Sequence, residues 1–137
     1  MEKTREKSLK LAKNKIAFVG SVSRNNEPNI KAMLVARHDG LKTFYFASNN
    51  SAMRTEQYKH NHNACIYFNG GPIYSGLMLE GTMEICNDTD TKKLVWKNSY
   101  KDAYPNGGIN DPDFCVLKFT AKKGRFYYWF ETESFEV

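Results

Sequence analysis

The stretch Phe44-Tyr45-Phe46-Ala47-Ser48-Asn49-Asn50-Ser51-Ala52-Met53-Arg54 joins an aromatic strand directly to a helix start that carries a cation. Phe44 to Ala47 read as a strand because aromatic side chains suit a pleated, half-buried surface. Asn49, Asn50 and Ser51 are turn and N-cap residues whose side chains can accept the free amide hydrogens of a first helical turn. The pattern predicts a helix running to about Asn61. Its N-terminal amides and dipole favour an anion, and Arg54 lies in the first turn, where its donors reach the same oxygens. A strand beside such a helix start suits a phosphate attached to a flat ring. The same residues equally fit a hairpin strand followed by an ordinary capped helix with a solvated arginine, and the stretch alone does not choose between the two.

Outward on the N-terminal side, Lys15 to Ser23 alternates Ile16, Phe18, Gly20 and Val22 against Ala17, Val19 and Ser21, the period of a strand. A turn at residues 24–28 leads into a second strand, Asn29 to Arg37. Ile30, Ala32, Leu34 and Ala36 occupy one face of it, and Lys31, Met33, Val35 and Arg37 the other. A cation therefore shares a face with apolar neighbours. His38-Asp39-Gly40 supplies the next tight turn before Lys42 to Ser48, so the first three strands read as a meander.

On the C-terminal side, Asn63 to Asn69 reads as a strand ended by Gly70-Gly71-Pro72, and Ser75 to Cys86 as a long strand interrupted by Gly81. A glycine inside such a strand marks a bulge or a barrel corner. Residues 87–90 cap a helix expected to reach about Tyr100, with Leu94, Val95 and Trp96 available for packing. Tyr104 to Asp113 reads as a loop. Phe114 to Thr120 and Arg125 to Glu131 then read as a terminal hairpin turning across Lys122-Lys123-Gly124.

Six or seven antiparallel strands with one helix between the third and fourth do not suit a doubly wound parallel sheet, which needs regular strand-helix alternation. The pattern predicts a mainly β fold, a small antiparallel split β-barrel with flanking helices, in one domain spanning residues 1–137. Such a length supports one core without disulfide or metal staples. Apolar residues make up 41% and charged residues 26%, which favours a globular chain over disorder.

Net charge is +5, and part of the excess is local. Residues 2–15 carry Lys3, Arg5, Lys7, Lys10, Lys13 and Lys15 against Glu2 and Glu6, and Leu9, Ala12 and Ile16 supply a thin apolar stripe at helical spacing, so an amphipathic N-terminal helix over residues 1–14 with a solvated basic face is expected. Without basic and aromatic residues interleaved on one strand face, nucleic acid is not the expected partner. No run is apolar and long enough for a membrane span, and the charged first fifteen residues lack a signal-peptide core, so the expectation is a cytoplasmic protein. Cys65, Cys86 and Cys115 are widely separated in strand-like runs and read as buried thiols, and His60 and His62 as polar helix-end residues, so no metal site is expected.

The run Pro28-Asn29-Ile30-Lys31-Ala32-Met33, then Asp39-Gly40, Phe44 to Ser48, Arg54, and Asn61-His62 before an apolar strand resembles the pyridoxamine 5'-phosphate oxidase-like family of FMN-binding split barrels, in particular its small general-stress-protein branch. The resemblance spans most of the chain. It implies FMN as cofactor, a flavin-dependent oxidoreductase and a homodimer with flavin at the interface, with a nicotinamide cofactor as a candidate reductant. The cofactor-binding residues it implies are Lys31, Ala32, Met33 and Leu34 on the second strand, Tyr45, Phe46, Ala47 and Ser48 on the third, Ser51 in the turn, and Arg54 in the helix.

Two features depart from the family pattern. Lys31-Ala32 stands where many members have Arg-Pro, which replaces a bidentate donor with a point charge. The C-terminal Arg and His residues that grip the pyridoxal substrate in the vitamin-forming members are not found before Val137, so synthesis of pyridoxal phosphate is not expected. The aromatic run Phe126-Tyr127-Tyr128-Trp129-Phe130 is a candidate contact with a second chain. No general acid or base is assigned among His38, His60 and His62. A second class stays open: a non-catalytic binding module on the same barrel, carrying haem or another ligand, or turning its basic helix toward an acidic partner.

Overall fold

A computed structural model describes residues 2–72 and 74–137. In chain order, α1 (Glu2–Leu11) precedes β1 (Ile16–Val22), β2 (Pro28–Leu34), β3 (Arg37–Asp39) and β4 (Thr43–Asn49). Then come α2 (Met53–His60), β5 (Asn63–Asn69), β6 (Gly76–Cys86) and α3 (Thr89–Val95). Two single 3-10 turns, Asn98–Tyr100 and Gly108–Asn110, lead to β7 (Phe114–Tyr128) and β8 (Glu131–Glu136). All pairings are antiparallel, in the order β2-β1-β5-β6-β7-β4-β3, with β8 also on β7.

The two ends of that order are halves of one bent strand. β2 and β3 are separated only by Val35 and Ala36, whose amides point opposite ways: Val35 N–H donates to Lys15 O on the β1 side (2.7 Å), and Ala36 N–H donates to Tyr45 O on β4 (2.8 Å). The expected second strand therefore exists, but it breaks and changes partner. The expected meander is accordingly corrected to two hairpins joined by a bend, and this handover curls the sheet into a split barrel.

The barrel interior is filled by Ala17, Val19, Met33, Phe44, Phe46, Ile66, Phe68, Leu77, Leu79, Leu117 and Phe119, all buried, and each comes from the inward register of its strand. α2 sits across one end. Tyr58, fully buried, donates its hydroxyl hydrogen to Gly20 O (2.9 Å), and Ser21 Oγ donates to Gln57 Oε1. A second, aromatic cluster lies outside β4 and β7. There Trp96 packs edge-on to Phe114 (5.2 Å) and Tyr104 tilts against the same ring (4.8 Å), over the partly buried Tyr45 and Ala47.

Gly81 marks a bulge, as its place in a long strand predicts: Glu80 pairs with Lys123 but Gly81 pairs with Ala121, leaving Lys122 as the extra residue of β7. A Cβ at Gly81 would stand 1.9 Å from Thr120 O. The expected turn at Lys122-Lys123-Gly124 is wrong for the same reason. The extra residue lets β7 bend without reversing, so one fifteen-residue strand replaces two, and the reversal comes at Trp129-Phe130, with Trp129 at φ 56°.

Three helix expectations also shift. The buried residues of α1 are Thr4 and Ser8, one per helical turn, with Ala12 buried just past its end, whereas Ile16 lies in β1 and is exposed. α3 begins where expected, with the Asp88 carboxylate accepting Thr91 N–H (2.9 Å), but it ends at Val95. α2 has Ala52 as its N-cap residue, with no side-chain cap. Among the described residues no helix is long and apolar enough to cross a membrane.

Candidate functional site

Backbone alternation decides which strand edges are free. Since Val35 N–H enters the β1 ladder, Met33 and Lys31 do too, and the N–H and C=O groups of Leu34 and Ala32 point away from β1. On β4, Asn50 N–H donates to Asp113 O on the β7 side (2.8 Å), so Ser48 and Phe46 face β7 and Ala47 faces away from it. β2 has only β1 as a neighbour, and β4 beyond Tyr45 has only β7. Ala32, Leu34 and Ala47 thus present unpaired main-chain groups to the split, a slot for a planar, hydrogen-bonding ligand.

Arg54 and Ser48 stand at the α2 end of this slot. Ser48 Oγ and Arg54 Nε are buried and have no hydrogen-bond partner among the described residues. A buried donor left in that state costs about 1 to 3 kcal/mol, more for a charged group, so each atom is a candidate for an acceptor from outside the chain. Arg54 lies one turn from Tyr58 on α2, and its charge opposes the upward shifts that burial imposes on Tyr58, Tyr104 and Cys115. Cys115 is the register partner of Ser48. Lys31 pairs with Val19, next to the Gly20 carbonyl that receives Tyr58, so its exposed ammonium stands on the barrel-facing side at the same end.

The residues named from sequence therefore divide. Lys31, Ala32, Leu34, Ala47, Ser48 and Arg54 line the split or its closed end. Met33 and Phe46 are buried core residues with their backbones in ladders, and Tyr45 already gives its carbonyl to Ala36. Ser51 donates its N–H to Asp113 Oδ1 (2.8 Å) and its hydroxyl hydrogen to Asp113 Oδ2 (2.9 Å). Asp113 and Tyr104 were missed because the segment holding them has no strand or helix periodicity.

On the outer face, the cross-strand set Ile16, Phe18, Ile30 and Leu34 is exposed at 45, 37, 72 and 64%. A groove of about 710 Å³ opens at its end, lined in part by Val22, Ile30, Cys65, Met78, Glu80 and Lys123. This cavity contains none of the residues named for the cofactor. Glu80 and Lys123 in it already pair with each other (3.3 Å), and among the described residues the buried polar atoms without a partner are Ser48 Oγ, Arg54 Nε and, away from both sites on α1, Ser8 Oγ, none of them in the groove.

A family model described as pyridoxamine 5'-phosphate oxidase like matches residues 3–136. The chain is similar to a solved protein from Clostridium acetobutylicum, described as related to general stress protein 26 of B. subtilis and of the pyridoxinephosphate oxidase family. The two share 39% identity, with 100% of this chain and 96% of that one covered, at a TM-score of 0.87. General stress protein 26 of Bacillus anthracis shares the fold at 20% identity and a TM-score of 0.78, covering 97% of this chain and 98% of that one. A heme binding protein from Mycobacterium smegmatis shares it at 14% identity and 0.73, covering 98% of this chain and 57% of that one. A search of curated proteins returned no match.

Proposed function

Because the chain belongs to the pyridoxamine 5'-phosphate oxidase-like family, we propose that it binds FMN in the split between β2 and β4 and acts as a flavin-dependent oxidoreductase, working as a homodimer. The observation that carries this reading is that Ser48 Oγ on β4 and Arg54 Nε in the first turn of α2 are buried without partners, beside strand edges of β2 and β4 that have no neighbour. Arg54 and Lys31 supply positive charge for the phosphate, and Ser48 a hydroxyl donor. The free backbone groups of Ala32, Leu34 and Ala47 suit the polar edge of a flat ring. When bound, the flavin supplies the electron transfer, and the chain holds and orients it. The exposed apolar face that shares Ile30 and Leu34 with the split supports a second copy lying against it.

The test is a titration of purified protein with FMN at micromolar flavin, followed by fluorescence quenching, and then by anaerobic reduction with a nicotinamide cofactor. Uptake and reduction are expected; no uptake overturns the reading. The histidines give haem no comparable support. The His38 ring lies over Phe44 with Nδ1 3.0 Å from Gly40 O, and His60 and His62 are exposed at the end of α2. A Soret band on haem addition, without flavin uptake, would put a haem-binding module in place of the enzyme.

A further inference from the structure

α2 leaves β4 without a side-chain cap, yet Ser48, Asn49, Asn50 and Ser51 before it are all held, mostly by the segment between α3 and β7. The Tyr104 hydroxyl donates to the pair Ser48 O (3.0 Å) and Asn49 Oδ1 (2.8 Å). Asn50 Nδ2 donates to Pro112 O and to Asn87 Oδ1, each at 2.9 Å. Ser51 gives both its donors to the Asp113 carboxylate. Asp113 is itself fixed, because its N–H donates to Oδ1 of Asp111 (2.9 Å), a buried carboxylate whose Oδ2 also accepts Asn106 N–H (2.9 Å).

Ser51 lies three residues before Arg54, so the conformation of this turn sets where the guanidinium stands relative to Ser48. We infer that Asp113 is the positioning residue of the anion clamp: by holding both donors of Ser51 it fixes the direction in which α2 leaves β4, and with it the place of Arg54. The inference rests on the flavin reading and changes the part given to Ser51, which acts as the anchored end of the turn and not as a phosphate ligand.

The sign of one substitution separates this role from a simpler one. Asp113 is an anion whose charge acts on Tyr104 and Cys115, the same two groups that feel Arg54. As a bare nearby charge, or as an internal substitute for phosphate on Ser51, it opposes a phosphate, and its removal would tighten FMN. As the positioning residue, its removal loosens FMN. Wild type, Asp113→Ala and Asp113→Asn are titrated with FMN and with riboflavin, with near-ultraviolet circular dichroism to check the fold. Asp113→Ala is expected to weaken FMN by roughly tenfold, the scale of one charge-assisted hydrogen bond, with riboflavin unchanged within about twofold. Asp113→Asn keeps an acceptor for Ser51 N–H and is expected to recover most of the loss. Tighter FMN binding, or equal losses for both flavins, overturns the assignment.

Where Asp113→Ala does not fold, Tyr104→Phe removes only the hydroxyl that holds the same turn. It is expected to lower the FMN-to-riboflavin preference, and an unchanged preference overturns the assignment. Wild type that binds no FMN brings down the flavin reading and this inference together. Wild type that prefers FMN, with Asp113→Ala keeping that preference, brings down only the role of Asp113.

Discussion

Arg54 has a buried Nε without a partner among the described residues, a costly state that the proposed phosphate would relieve. Arg54→Ala is therefore expected to weaken FMN by about ten- to a hundredfold, the equivalent of about 1.5 to 3 kcal/mol, while riboflavin, which lacks the phosphate, changes little. Lys31→Ala is expected to act in the same direction but less, because Lys31 is an exposed point charge. Paired titrations check both, and equal losses for the two flavins would assign Arg54 to the fold. The neighbouring thiols give a pH prediction. Burial pushes the Cys86 and Cys115 thiols up to about 11 and the Tyr104 hydroxyl up to about 12. A group whose folded pKa is raised contributes stability that is complete below its unfolded value and is lost as pH rises through the folded value. The midpoint of thermal unfolding is thus expected to fall as pH climbs from about 9 to 11, and Cys115→Ala to flatten that fall. An identical fall in Cys115→Ala would assign it to other groups.

At the scale of elements, the strand alternation and the Gly81 interruption were legible because a strand buries every second residue and a bulge needs a position without Cβ. Gly81→Ala is expected to destabilise the fold by more than about 3 kcal/mol, since its Cβ would meet a ladder carbonyl that cannot move aside. A chemical-denaturation shift under about 1 kcal/mol would mean the bulge relaxes at little cost. The break between β2 and β3 was not legible. Nothing in Val35 or Ala36 forbids a continuous strand, and the handover follows from which neighbours the two amides meet in space. The same limit explains β7, where Lys122-Lys123-Gly124 has turn composition but Lys122 is absorbed as the extra residue opposite Glu80 and Gly81. Arg54 was readable as a cation at a strand-to-helix junction and Lys31 as a cation on an otherwise apolar strand face, while their part in one site, with Ser48, came only from the family resemblance. Asp113 and Tyr104 were not readable, because they reach that junction only through the return of β7 onto β4.

For the whole molecule, the decisive geometry is that Ile30, Ala32 and Leu34 turn their side chains to the outer face and their main-chain groups to the split. A second copy covering that face, as proposed, would also shield the slot from water and so couple assembly to flavin binding through the same residues. A stable interface buries about 1,200 to 2,000 Å² and needs an apolar centre, and Ile16, Phe18, Ile30 and Leu34 form a contiguous exposed candidate across β1 and β2. Ile30→Glu places a carboxylate at that centre without touching the core, since Ile30 is 72% exposed in the single chain. Sedimentation should therefore show a dimer for wild type and a monomer for Ile30→Glu, with the thermal midpoint extrapolated to low concentration nearly unchanged. The monomer is expected to bind FMN more weakly, and riboflavin in equal proportion, because the lost partner shields the ring end. Arg54→Ala is expected to give the opposite pattern, a dimer with a selective loss for FMN. An Ile30→Glu protein that remains dimeric would move the interface to another face, such as the exposed Tyr128, Trp129 and Phe130. A monomer with wild-type flavin affinity would show that one chain completes the site alone.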